Sequence, residues 1–199
     1  HGCPPDEIEA ICSYIIQEKH IDTFVKLNPT LLGYDKVRSI LDSYGYSNVG
    51  LRRESFDHDL QKSDAFPMLE RLEKLAKENG VGFGVKLTNT LASISDGKVL
   101  PGNEKYMSGK ALFPVSLEVA RQIAEHFDGR MPISFSGGVS ILNAGMLFDA
   151  GVHPITLASD MLRPGGYSRM LQIARSLIDT DGWEKKLVNP SALLMTGKN

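Results

Sequence analysis

One pattern constrains this chain more than any other. Short β-type runs keep returning, and each leads into a stretch with helical spacing of apolar residues. The runs fall at 23–27, 48–51, 83–87, 132–136 and 154–158. Around them, Ile8, Ile11, Cys12, Ile15 and Ile16 form one buried stripe, and Val37, Ile40, Leu41 and Tyr44 a second. Met68, Leu69, Leu72 and Leu75 form a third, Leu117, Ala120, Ile123 and Phe127 a fourth. Residues 141–150 and 170–177 complete the set. Gly45, Gly80 and Gly129 stand where these helices should stop. The order αβαβαβαβαβα implies parallel strands joined by right-handed helical crossovers. The expected fold is therefore α/β, a (β/α)8 TIM-type barrel present as about five βα units, with an open doubly wound sheet as the alternative. A whole barrel typically takes about 250 residues. The chain opens His1-Gly2-Cys3-Pro4-Pro5 without an initiator methionine, so it reads as a piece of a longer polypeptide, its missing strands lying before His1. Residues 1–178 are expected to form the C-terminal portion of the barrel, and residues 179–199 a weakly patterned tail leading towards a next domain.

The 199 residues are 42% hydrophobic and 23% charged, with a formal net charge of −2, which argues against a basic nucleic-acid binder. No apolar run approaches the roughly 20 residues that span a membrane. Two cysteines, Cys3 and Cys12, make neither a disulfide framework nor a structural zinc set. A soluble, cytoplasmic setting is expected. Cys12 lies on the first helical stripe and reads as packing, whereas Cys3 precedes that helix and reads first as a small residue in a turn, with a reactive thiol as the alternative.

The stretch 132–166 holds two consecutive β-type runs that end in small polar residues. Gly137 and Gly138 let backbone N–H groups approach an anion closely, and Ser159 follows the second run. Loops of this kind after consecutive parallel strands are how an α/β barrel builds a phosphate site. A plain strand–turn–helix junction is the alternative for either loop alone.

Val25-Lys26-Leu27-Asn28-Pro29-Thr30 is echoed by Val85-Lys86-Leu87-Thr88-Asn89-Thr90. A lysine within an apolar strand needs an anionic partner, a solvent outlet or a reason to be neutral. Lys26 and Lys86 are the expected catalytic residues, directed into the mouth of the barrel, unless they serve structural ion pairs. Asn28, Thr88 and Asn89, at the strand ends, would hydrogen-bond a polar heterocycle. Three functions fit: a flavin site with its phosphate on Gly137, Gly138 and Ser159; an aldolase-like Schiff-base lysine; and a degenerate barrel that docks other redox domains. The polar segment 54–63, with His58 between Asp57 and Asp59, is expected to be a solvated loop. Residues 93–107 are longer than a usual βα loop and read as a lid or an active-site loop.

Gly2-Cys3-Pro4, Val25-Lys26-Leu27-Asn28-Pro29, Thr88-Asn89-Thr90, Ser108-Gly109 with Pro114, and Ser136-Gly137-Gly138-Val139 together resemble the FMN-binding barrels of dihydroorotate and dihydropyrimidine dehydrogenases. The closer resemblance, from His1 to about Leu177, is to the barrel domain of selenate reductase YgfK-type subunits, carried by His1-Gly-Cys-Pro-Pro-Asp-Glu-Ile-Glu, Phe24-Val-Lys-Leu-Asn-Pro-Thr-Leu-Leu-Gly, Met107-Ser-Gly-Lys-Ala-Leu-Phe-Pro and Pro154-Ile-Thr-Leu-Ala. That resemblance implies FMN at this barrel. It also implies 4Fe–4S and FAD/NAD(P)H domains elsewhere in the full-length protein, and other domains or subunits of a redox complex as partners. By analogy Lys26 and Asn89 correspond to flavin-contacting residues. Here Cys3-Pro4 runs straight into a helix, so the loop that carries the protonating cysteine of dihydropyrimidine dehydrogenases is absent. Exposed sheet edges would also favour pairing between copies.

Overall fold

A computed structural model describes residues 3–95, 102–178 and 186–196. In chain order the elements are α1 (Pro5–Lys19), β1 (Thr23–Leu27), a 3-10 turn (Pro29–Leu32), α2 (Tyr34–Ser43), α3 (Arg53–His58), α4 (Lys62–Glu78), β2 (Phe83–Leu87), β3 (Leu91–Ile94) and β4 (Glu104–Met107). A second 3-10 turn (Gly109–Leu112), α5 (Phe113–His126), β5 (Ile133–Phe135), α6 (Ala144–Asp149), α7 (Gly166–Leu177) and α8 (Pro190–Thr196) follow. Local chemistry explains several boundaries. Pro5 opens α1 with Asp6 and Glu7 in its first turn and Lys19 in its last, which suits the helix dipole. Gly80 and Gly129 take positive φ just beyond α4 and α5, where left-handed backbone closes a helix.

The sheet runs β1-β2-β5, all parallel, and Ile155 continues it through one bridge to Phe135. Each step moves to the next strand in the same direction. A doubly wound sheet reverses direction at a switch point, and no reversal occurs among the described strands. Register partners share a face, so Val25, Val85 and Ile133 line up, as do Leu27, Leu87 and Phe135. This face meets Ile16 of α1, Leu69 and Leu72 of α4, and Ala120 and Ile123 of α5 in the main core. Phe24, Lys26, Gly84, Lys86 and Ser134 occupy the opposite face. There Phe24 stays 41% exposed, and Gly84 leaves room for its ring: a Cβ on Gly84 would stand 2.7 Å from the Phe24 ring and 2.6 Å from the Pro132 carbonyl oxygen. In a stretch of barrel wall the helices pack on the outer face and the other face turns to the interior, so Lys26, Lys86 and Ser134 stand on the interior face. The described strands form an open sheet rather than a closed barrel.

Three expected elements differ from the observed ones. Residues 48–51 form no strand; Arg38 gathers this turn by donating to the Val49 and Tyr46 carbonyls at 2.5 and 2.8 Å, and Leu51 is buried in a second small core. The loop expected at 54–63 contains α3, held by Phe56, whose ring meets Tyr34 edge-on at 5.4 Å. The run 154–158 contributes only the bridge at Ile155.

The lid expected at 93–107 is largely an antiparallel hairpin, β3–β4, in register from Leu91↔Met107 to Ile94↔Glu104. Residues 96–101 lie outside the described residues, as do 179–185 of the expected tail. Beyond them, Val188 and Leu193 join the main core, and the Val188 amide donates to the Gly129 carbonyl at 2.9 Å. No described helix is long and apolar enough to cross a membrane.

Candidate functional site

The lysine strands place their charges side by side. Lys26 and Lys86 are direct register partners on the open face. Lys26 is exposed, whereas Lys86 is half-buried and donates to Thr156 Oγ1 at 3.0 Å and Ser134 Oγ at 3.4 Å. Neither lysine has a carboxylate within ion-pair distance among the described residues. Burial first, and then the positive charge of Lys26, holds the Lys86 ammonium below the usual lysine pKa. Directly beyond the strand ends, Asn89 Nδ2 donates to Asn28 Oδ1 at 2.7 Å, and the Asn89 amide donates to the Leu27 carbonyl at 2.9 Å. A cavity beside β1 collects Cys3, Phe24, Lys26, Asn28, Asp59 and Asn89.

Thr88 is turned away from this group. It is buried, and its hydroxyl shares a 2.7 Å hydrogen bond with Ser116 of α5. Ser116 in turn lies against Gly137, where a Cβ would collide with it. Thr88, Ser116 and Gly137 are thus one packed unit beneath the loop that follows β5.

Gly138 lies on the other side of that unit, with φ +84° and no room for a Cβ against the Gly109 carbonyl. Gly109, Lys110, Ser136, Gly138, Ser159 and Arg163 line a small pocket where three loops converge. Ser159 donates to Ser108 Oγ at 3.1 Å and closes one wall. Arg169 braces the 159–165 loop by donating to the Pro164 and Asp160 carbonyls at 2.8 and 2.6 Å. It also pairs with the Asp160 carboxylate at 3.2 Å, so that lining charge is neutralised. The Lys110 and Arg163 side chains are exposed. The Gly138 amide is bonded to the Ser136 carbonyl at 2.9 Å and the Ser136 hydroxyl faces the Leu87 and Thr88 carbonyls, so the two cations are what this pocket offers a phosphate monoester. No group of three or more His, Cys, Asp or Glu residues among those described is arranged to hold a metal.

The sequence model of the family described as "Oxidoreductase YgfK, N-terminal TIM-barrel domain" matches residues 1–198. The chain belongs to this family. It is 58% identical over 183 residues to proteins named "Putative oxidoreductase YgfK" in Escherichia coli strain K12 and in Escherichia coli O157:H7. The alignment covers 92% of this chain and 18% of each relative. The chain therefore spans about a fifth of the length of the YgfK relatives that it matches. In this YgfK-type domain Lys26, Lys86, Asn28 and Asn89 gather at one part of the strand ends, and Gly138 and Ser159 at another. Sequence reasoning missed Lys110 and Arg163. Their available signals were the Ser-Gly-Lys and Arg-Pro-Gly-Gly contexts in which they stand.

The lysine pair carries a pH signature. The native state holds the Lys86 pKa below its unfolded value of about 10.4, so between those two values the unfolded chain binds more protons. Stability should rise as the pH climbs through the native value and level off near the unfolded one. Lys26→Met removes the neighbouring charge. It should raise the Lys86 pKa and flatten that alkaline rise, as read by an NMR titration of the Lys86 side chain beside urea melts. An unchanged titration would show that the two ammonium groups do not sense each other.

Proposed function

We propose that this domain binds FMN across the carboxyl ends of its strands and serves hydride or electron transfer in a larger flavin- and iron–sulfur-dependent oxidoreductase. The observation that carries the reading is the pairing of two donor sets on one sheet end: the glycine pocket with Lys110 and Arg163, and the in-register lysines beside the Asn28–Asn89 bond. The lining suits FMN. Gly138 lets its loop close against the Gly109 carbonyl and so shapes the pocket, and Lys110 and Arg163 supply charge for a phosphate monoester. Bound FMN would supply hydride acceptance and release. Lys26 and Lys86 would offset the negative charge that a ring gains on reduction, and Asn28 and Asn89, which fix each other, would orient it.

Flavin binding in the intact protein tests this reading. Visible flavin absorbance on isolation, or uptake of added FMN, is expected. Lys110→Gln and Arg163→Gln should each weaken FMN binding by about 10- to 100-fold, since each charge-assisted hydrogen bond contributes roughly 1.5–3 kcal/mol. A colourless intact protein that also ignores excess FMN would sink the proposal.

A second reading rests on Lys86 itself. A half-buried amine with a lowered pKa is suited to Schiff-base formation with a phosphosugar carbonyl. Borohydride trapping of a phosphosugar at Lys86 would favour it over the flavin site, and no adduct would remove it. A barrel that passes neither test would be left to dock the other domains of the redox complex.

A further inference from the structure

A second cavity opens between α3 and the β3–β4 hairpin. The internal echo supplies its floor: Thr30 and Thr90, sixty positions apart and each three residues beyond its strand, both line it. Ser55, His58 and Tyr106 add further polar groups to the walls. Asp59 lines both this cavity and the neighbouring one that holds Lys26, Asn28 and Asn89, so the two spaces adjoin at this residue.

The charges of the lining are unequal. Arg52 is already engaged by Glu104 at 3.3 Å, across the gap between the start of α3 and the hairpin. Asp59 Oδ2 accepts from the Thr30 hydroxyl at 2.7 Å, and no cation pairs with this carboxylate among the described residues. Glu54, exposed in the first turn of α3, likewise has no ion-pair partner among them. An oxyanion entering here would meet two uncompensated carboxylates and a guanidinium already committed elsewhere. Like-charge contact of that kind disfavours binding. A molecule that presents N–H groups would instead find carboxylate acceptors beside threonine hydroxyl oxygens. The contrast with the glycine pocket is direct, because there the charges without an ion-pair partner among the described residues are the cations Lys110 and Arg163.

We infer that the cavity between α3 and the hairpin is a binding pocket for a small neutral or cationic molecule rich in N–H donors, and that it rejects oxyanions such as selenate. This deepens the proposed function by naming the substrate class beside the lysine site, and its relevance to catalysis rests on that reading. Binding itself needs no flavin.

The test uses the intact protein, with benzamidine and 2-imidazolidinone as N–H-donor probes and sodium selenate as the competitor, read by calorimetry with and without FMN. Both probes should bind, and Glu54→Gln combined with Asp59→Asn should weaken them at least about tenfold, the loss of one charge-assisted hydrogen bond. Selenate should not displace them. Glu54→Gln alone changes an exposed side chain and should keep the thermal midpoint, so its smaller loss of affinity would be free of unfolding. Selenate displacing benzamidine, or affinity unchanged in both variants, would overturn the inference. Probe binding that depends on Glu54 in a protein that ignores FMN would sink the flavin reading alone, and FMN uptake without probe binding would sink this one alone.

Discussion

Gly138→Ala is expected to destabilise the domain by about 2–4 kcal/mol. Two costs combine. The backbone there holds φ +84°, a conformation that costs a residue with a Cβ roughly 1–2 kcal/mol. The added carbon would also press on the Gly109 carbonyl and stand 3.0 Å from Phe113 Cβ. Gly109 cannot easily retreat, because it has φ +67° itself and stands against Ser159, where its own Cβ would be 3.2 Å from the serine Cβ. The loops after β4, β5 and Ile155 therefore resist as one body. Gly45→Ala supplies the comparison: φ is +80°, but nothing lies within 4 Å of the added carbon, so only the backbone cost of about 1–2 kcal/mol should appear. Urea denaturation of both variants measures the difference. Equal losses would show that the interlocked loops contribute no resistance. Gly138→Ala should also weaken FMN binding, since the loop that lines the glycine pocket is displaced without any change of charge.

That interlocking explains why the sequence showed some features and concealed others. β1 and β2 were legible because a lysine in an otherwise apolar strand demands an explanation, and the repeated Val-Lys-Leu fixed both strands at once. The helical stripes of α1, α4 and α5 were legible because each buries one face against the sheet. α3 was not, since Phe56 is its single buried residue and its position comes from a tertiary contact with Tyr34. The β3–β4 hairpin was missed because β4, Glu-Lys-Tyr-Met, has no fully buried residue and so no burial alternation. At the site, Gly138 and Ser159 could be read as loop chemistry. For Lys110 and Arg163 the glycine-rich contexts were a weak signal, because exposed cations in loops carry no periodicity, and only the fold brings them beside Ser159. The orientation of Thr88 was equally hidden: a hydroxyl at a strand end suits a ligand or a neighbouring helix, and here Ser116 takes it. Family membership confirms the barrel kinship that these repeats suggested, while the roles of the individual side chains still rest on the proposed tests.

The other large effect is expected at Phe135. Its ring is fully buried on the helix-packed face of β5, in register with Leu87, and it meets the Phe113 ring edge-on at 5.8 Å. Its backbone also holds the chain's return, accepting from the Thr156 amide at 2.8 Å and donating to the Pro154 carbonyl at 3.0 Å. Phe135→Ala should cost about 3–5 kcal/mol, the range for emptying a buried aromatic site. That is a large share of the roughly 5–15 kcal/mol that stabilises a typical domain. The loss should reach the site through Phe113, whose ring leans on Phe135 while its Cβ lies under Gly138. FMN affinity should therefore fall although no charged or polar group has changed. Phe135→Leu separates the two consequences. It keeps most of the volume, should cost under about 1.5 kcal/mol, and should leave the glycine loop in place with near-native FMN affinity. If Phe135→Leu lost FMN as severely as Phe135→Ala while staying folded, the aromatic edge contact itself, rather than filled volume, would be what holds the loop.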